Sequence, residues 1–179
     1  MMPNDLTIES PEAFRKAAIE APAGTSQIIV RRYFDADVSA VFAAFTVQEL
    51  FARWTAADVD SIRVVEFDPR TGGSWRYELS VVAGQPAFGF RGVFHEVECN
   101  ERIVQTFEFD RAPGVVTLST TSFAPLAAGT LVTTVSLLPS EERRDEVLNA
   151  GMRVGADDGY RRLEALLDDE TSAASGPRT

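Results

Sequence analysis

Between Glu66 and Tyr77 the chain reads Glu-Phe-Asp-Pro-Arg-Thr-Gly-Gly-Ser-Trp-Arg-Tyr. An apolar strand stops at Asp68-Pro69, the chain turns through Gly72-Gly73, and a second strand restarts with Trp75 and Tyr77 in alternation. Paired glycines supply φ > 0, which other residues resist. Strand side chains alternate in direction, so Trp75, Tyr77 and Leu79 share one face. Two large aromatics on an inner face can wall a cavity.

Outward from this hairpin the same grammar repeats. Gln27–Phe34, rich in β-branched residues, reads as the first strand. Arg63–Phe67, Ser74–Val82, Phe88–Glu98, Arg102–Asp110, Val115–Phe123 and Thr130–Leu138 follow as further strands. Turn chemistry separates them at Gly72-Gly73, Gly84-Gln85-Pro86, Asn100, Pro113-Gly114 and Pro125–Gly129. Such short links imply an antiparallel meander.

Two short helices interrupt the series after the first strand. One is capped by Asp37 or Ser39 and carries Val41, Phe42 and Phe45, and the next runs through Leu50, Phe51 and Trp54. At the N-terminus, Ser10-Pro11-Glu12 opens a helical stretch that closes before Pro22. At the other end Ser140 caps a long helix, Ser140–Leu167, with Glu141 and Glu142 in its first turn. Leu148, Met152, Gly155, Gly159, Leu163 and Leu166 fall at steps of four, three, four, four and three, the period of a buried helix face.

The expected fold is therefore α+β, with a curved antiparallel sheet of six to seven strands whose inner face is covered by the terminal helix. The expected organisation is an N-terminal extension with a short helix over 1–25, one domain over 26–168, and a disordered tail over 169–179.

The 179 residues carry a formal net charge of −10, which argues against a nucleic-acid surface and against an anionic membrane surface. Cys99 is the sole cysteine and His95 the sole histidine, so neither an internal disulfide nor a cysteine zinc site can form. No apolar run reaches the roughly 20 residues that span a bilayer, and the N-terminus has no secretory leader pattern. A cytoplasmic protein without metal or cofactor is expected.

Trp75, Tyr77, Phe107 and Phe109 lie at alternating positions of two strands, as a pocket wall or as an ordinary filled core. Gly155 and Gly159 leave room above the sheet for a ligand, or let the helix pack closely on it. His95, placed inward with Val93 and Val97, is either a polar handle or a structural residue. Arg70, Arg76 and Arg91 are candidates for a ligand carboxylate or for pairs with neighbouring acids. The threonines and serine at 117, 119, 121, 130, 133 and 134 either line a polar side of the pocket or face water. No phosphate-binding loop, dinucleotide fingerprint or H-E-x-x-H motif occurs.

Four blocks of residues resemble the SRPBCC (START-like, helix-grip) superfamily, in the branch related to the activator of the heat-shock-protein ATPase. They are Arg32–Asp37 leading to Val41-Phe42 and Glu49–Trp54; Asp68–Tyr77; Gly92–Val97 with Glu101–Phe107; and Ser140–Asp145 with Gly151-Met152, Gly155, Gly159-Tyr160 and Arg162-Leu163. The family usually has proline where Asp37 and Cys99 or Asn100 stand, and often a second tryptophan where Thr55 follows Trp54.

The resemblance implies a sheet gripping the terminal helix with a pocket between them. It implies a binding protein for a small hydrophobic or aromatic molecule, with Trp54, Trp75, Tyr77, Phe90, Val93, His95, Phe107, Phe109, Met152, Gly155 and Gly159 as ligand-contacting candidates. The alternatives it carries are a chaperone-associated or other protein-interaction module, and a cyclase- or hydrolase-type enzyme in the same cavity. No catalytic residue is assigned, and the chain is expected to be a monomer or homodimer.

Overall fold

The computed structural model describes residues 10–80 and 86–174. Eight strands form one antiparallel sheet: β1 Ala18–Glu20, β2 Gln27–Phe34, β3 Ile62–Phe67, β4 Ser74–Leu79, β5 Phe88–Glu98, β6 Arg102–Phe109, β7 Val116–Leu126 and β8 Gly129–Leu137. Their order across the sheet is β1-β2-β8-β7-β6-β5-β4-β3. The strands from β3 to β8 are a pure meander. β2 returns to pair with β8 along its full length, from Gln27 opposite Leu137 to Phe34 opposite Thr130. This is the helix-grip arrangement expected above. The turn Gly84-Gln85-Pro86 and the strand end at Val82 fall largely on residues 81–85, outside the described residues.

The sheet has one strand more than the six to seven expected. Ser10 and Pro11 start only a single 3-10 turn, Pro11–Phe14. The alanine-rich residues beyond it, read above as helix, instead form β1 and pair Ala18–Glu20 with Ile29–Arg31 of β2. The open edge of β2 offers backbone partners that outweigh local helix preference. The same segment covers the outer face of β2, where Phe14 packs with Tyr33 and Leu131.

Between β2 and β3 lie α1, Val38–Thr46, and α2, Gln48–Thr55. The terminal helix is not continuous. α3, Glu141–Val147, begins at Ser140, whose hydroxyl accepts from the Arg143 amide at 3.2 Å. A wide π-type turn follows at Leu148–Met152, kinked at Gly151, where φ is 96°. α4, Arg153–Ala174, then lies across the sheet. It continues past Leu167, where the sequence reading ended it; residues 175–179 lie outside the described residues.

The core fills the space between sheet and helices. Val30, Trp75, Phe94, Ile103 and Val132 from the sheet meet Val41 and Phe42 of α1 and Leu163, Leu166 and Leu167 of α4. Burying each such leucine contributes about 1.5–3 kcal/mol. Arg32, buried on β2, forms an ion pair with Glu164 of α4 at 2.8 Å and so ties the sheet to the helix. Buried Arg144 of α3 donates to the Pro22 carbonyl at 2.9 Å and also to that of Thr25. Among the described residues no helix is long and apolar enough to cross a membrane.

Candidate functional site

A cavity of about 380 Å3 lies between the sheet and α4, within the range of small-molecule sites. Its aromatic wall starts at the opening hairpin. Gly72 takes φ 84°, while a β-carbon at Gly73 would sit 2.0 Å from the Asp68 carbonyl oxygen, so only the first glycine supplies φ > 0 and the second permits close approach. The tight turn delivers Trp75 and Tyr77 to the inner face of β4, stacked at 5.7 Å and 19°. Phe107 of β6 stands 5.7 Å from Trp75. Across the cavity, Phe51 of α2 meets Tyr77 at 5.4 Å and stacks on Phe67 of β3 at 5.0 Å. Trp54 of α2 stacks on Tyr160 of α4 at 6.4 Å.

The opposite side is polar. Thr121 and Thr134 are cross-strand partners on β7 and β8, their hydroxyls 3.0 Å apart, and Ser119 and Ser136 repeat the pattern at 2.9 Å. Thr121, Thr134 and Ser136 line the cavity, as does Gln105 of β6. Among the described residues the Gln105 amide and the Tyr77 hydroxyl make no hydrogen bond. Burial holds the Tyr77 phenol far above the ordinary tyrosine range, so it remains a neutral donor. Burial also raises Tyr160, against the opposing effects of the Thr134 hydroxyl and the Arg32 charge. The Trp75 indole nitrogen and the Thr55 hydroxyl are buried without a hydrogen-bond partner among the described residues.

The helix side is built from Met152, Gly155, Ala156, Gly159 and Arg162. A β-carbon at Gly155 would meet nothing within 4 Å, and one at Gly159 would make ordinary contact with Trp54 at 3.8 Å. The side-chain-free middle of the helix stripe therefore leaves space and does not serve close packing on the sheet. Arg162 donates from Nε to the Trp54 carbonyl at 2.9 Å and from Nη2 to the Thr55 carbonyl at 3.3 Å.

Seven of the sequence-predicted residues line this cavity: Trp54, Trp75, Tyr77, Phe107, Met152, Gly155 and Gly159. Phe90 and Phe109 do not. They stack on each other at 5.0 Å, and Phe90 lies 5.3 Å from Tyr77 and 5.1 Å from Phe107, at the margin of the wall. Val93 and His95 are placed differently from the expectation: both are exposed. β5 and β6 pair Phe94 with Gln105 and Glu96 with Val104, which leaves His95 as an extra residue in a β-bulge. The bulge changes the phase of alternation, so Phe94 and Val97 point inward and Val93 and His95 outward. Cys99 is exposed.

Arg70, Arg76 and Arg91 pair with Asp68, Glu78 and Glu108 at 2.9, 3.3 and 2.8 Å, outside the cavity. Sequence reasoning missed Gln105, Tyr160 and Arg162 as cavity residues, and left Phe51 without a site role. The three-residue spacing of Phe51 and Trp54 on α2 is the one signal that places both rings on a common face. Among the described residues the lining contains no histidine, cysteine or carboxylate, so it holds no nucleophile–base pair. No group of three or more potential metal ligands occurs among the described residues.

The profile of the family described as activator of Hsp90 ATPase homolog 1-like protein matches residues 35–168. No curated protein matches the chain. Among solved structures, a Rhodobacter sphaeroides protein is 26% identical, with a TM-score of 0.74 over 89% of this chain and 100% of that one. A Staphylococcus epidermidis protein is 25% identical, with a TM-score of 0.72 over 86% of this chain and 94% of that one. A Mycobacterium smegmatis protein at 20% identity shares the fold, with a TM-score of 0.75 over 84% of this chain and 95% of that one.

Proposed function

Since the chain belongs to the family of activator of Hsp90 ATPase homolog 1-like proteins, we propose that it uses the helix-grip cavity to bind a small, ring-bearing, largely apolar molecule. The observation that carries this reading is the cavity of about 380 Å3 lined by Trp75, Tyr77 and Phe107 of the sheet and by Met152, Gly155 and Gly159 of the helix side. A fold that needed only a packed core would fill that space, because each missing methylene costs packing energy. Aromatic faces on one side and neutral hydroxyl and amide groups on the other suit a flat ring with a polar substituent. The lining offers no acid–base machinery, so retention is favoured over conversion. A chaperone-associated role rests on the family description alone.

The test is native mass spectrometry of freshly purified, tag-free protein, paired with tryptophan-fluorescence titration using naphthol. A retained mass or a saturable change in emission is expected. Absence of both defeats the proposal.

A further inference from the structure

We propose that the bound molecule is a ring-bearing carboxylic acid and that Arg162 recognises its carboxylate, an inference that rests on the cavity binding a small ring-bearing ligand. Arg162 is the sole charged residue lining the cavity among the described residues. Its neighbour Arg161 is paired with Asp157 and Asp158, and Arg53 of α2 with Glu170. Arg162 makes no ion pair among the described residues. The half-buried guanidinium has no counter-charge among the described residues, so an anion that reaches it from the cavity gains a charge-assisted pair with no competing partner.

Capping accounts for part of this side chain. The Trp54 and Thr55 carbonyls end α2, and a cation there satisfies them. Those two bonds use the Nε hydrogen and one on Nη2. A guanidinium carries five N–H groups in a plane, so three remain. The two backbone bonds also hold the fork rigid beside Gly159, where a β-carbon would lie 3.8 Å from Nη2. A pre-set planar fork with free N–H groups matches a carboxylate better than a phenol or an amide. Among the described residues no acid lines the cavity to repel such a ligand.

The test is isothermal titration of the tag-free full chain with naphthoate, naphthamide and naphthol, which share a ring and differ in head group. Naphthoate is expected to bind at least about tenfold tighter than naphthamide, the usual advantage of a charge-assisted pair. Arg162→Gln is expected to bring naphthoate down to the naphthamide level, with a much smaller change for naphthamide, which loses only a neutral hydrogen bond. Arg162→Lys, which keeps charge and loses the fork, is expected to fall between. Equal affinities for acid and amide in the wild type overturn the carboxylate assignment and leave the cavity reading standing. Binding by none of the three overturns both. If Arg162→Gln does not fold, the wild-type ratio of acid to amide decides alone.

Discussion

The indole of Trp75 lies across Gly92, its partner residue on the neighbouring strand: a β-carbon at Gly92 would fall 2.6 Å from the ring and 1.9 Å from the Thr106 carbonyl oxygen. The aromatic wall thus depends on a missing side chain one strand away. Gly92→Ala must displace both the indole and a β6 backbone carbonyl. It is expected to cost about 3 kcal/mol, the upper end of overpacking penalties, read as a lower urea midpoint with an unchanged m-value. A variant as stable as wild type would show that the strand pair tolerates the methyl group.

Trp75 itself is 4% exposed. Trp75→Ala removes a fully enclosed ring and is expected to cost about 3–5 kcal/mol. Because Trp54 is only half-buried, the variant's remaining emission should be shifted to the red. Emission unchanged in wavelength would mean that Trp75 does not report from the interior.

Gly155→Leu separates space from packing at the cavity's helix side. With open space where the side chain would go, the variant is expected to fold and to gain up to about 1 kcal/mol of helix propensity. Naphthol titration should weaken or vanish as leucine occupies the cavity. A large fall in the melting temperature would place the glycine in a packed contact instead.

All three tyrosines have raised pKa values. Burial is the largest cause for Tyr77 and Tyr160, and burial followed by the adjacent Asp35 for Tyr33. A phenol raised in the folded state stabilises it fully below the unfolded value, about pH 10, and progressively less above it. Tyrosinate absorbance should therefore stay absent as the pH rises through 10 and appear together with loss of ellipticity. Titration of one or more tyrosines in the folded protein near pH 10 would contradict this.

The meander and its inner face were legible because Trp75 and Tyr77, and Ile103 and Phe107, keep strict alternation between recognisable turns. The β-bulge at His95 was not. It carries no glycine or proline, and its extra residue reverses the phase after it, so Val97 faces inward while Val93 and His95, which uninterrupted alternation groups with Val97, face outward. β1 was hidden by its length: three residues cannot show alternation, and the helix start at Ser10-Pro11 reads on through them up to Pro22. Arg162 was hidden because its apolar stem and charged head suit a helix surface as well as a cavity rim. The Thr121–Thr134 face stayed open because threonines occupy both faces of that hairpin.

The sheet's two edges bear on how copies of this chain meet. One edge is β1, only Ala18–Glu20, and the other is β3, bulged between Val64 and Glu66 with Arg63 exposed. A three-residue edge offers too short a ladder, and a bulged, charged edge the wrong one, for strand-by-strand addition. Both features disfavour edge-to-edge growth of the open sheet, so the protection lies in how the two border strands are built and not in closure of the sheet into a barrel.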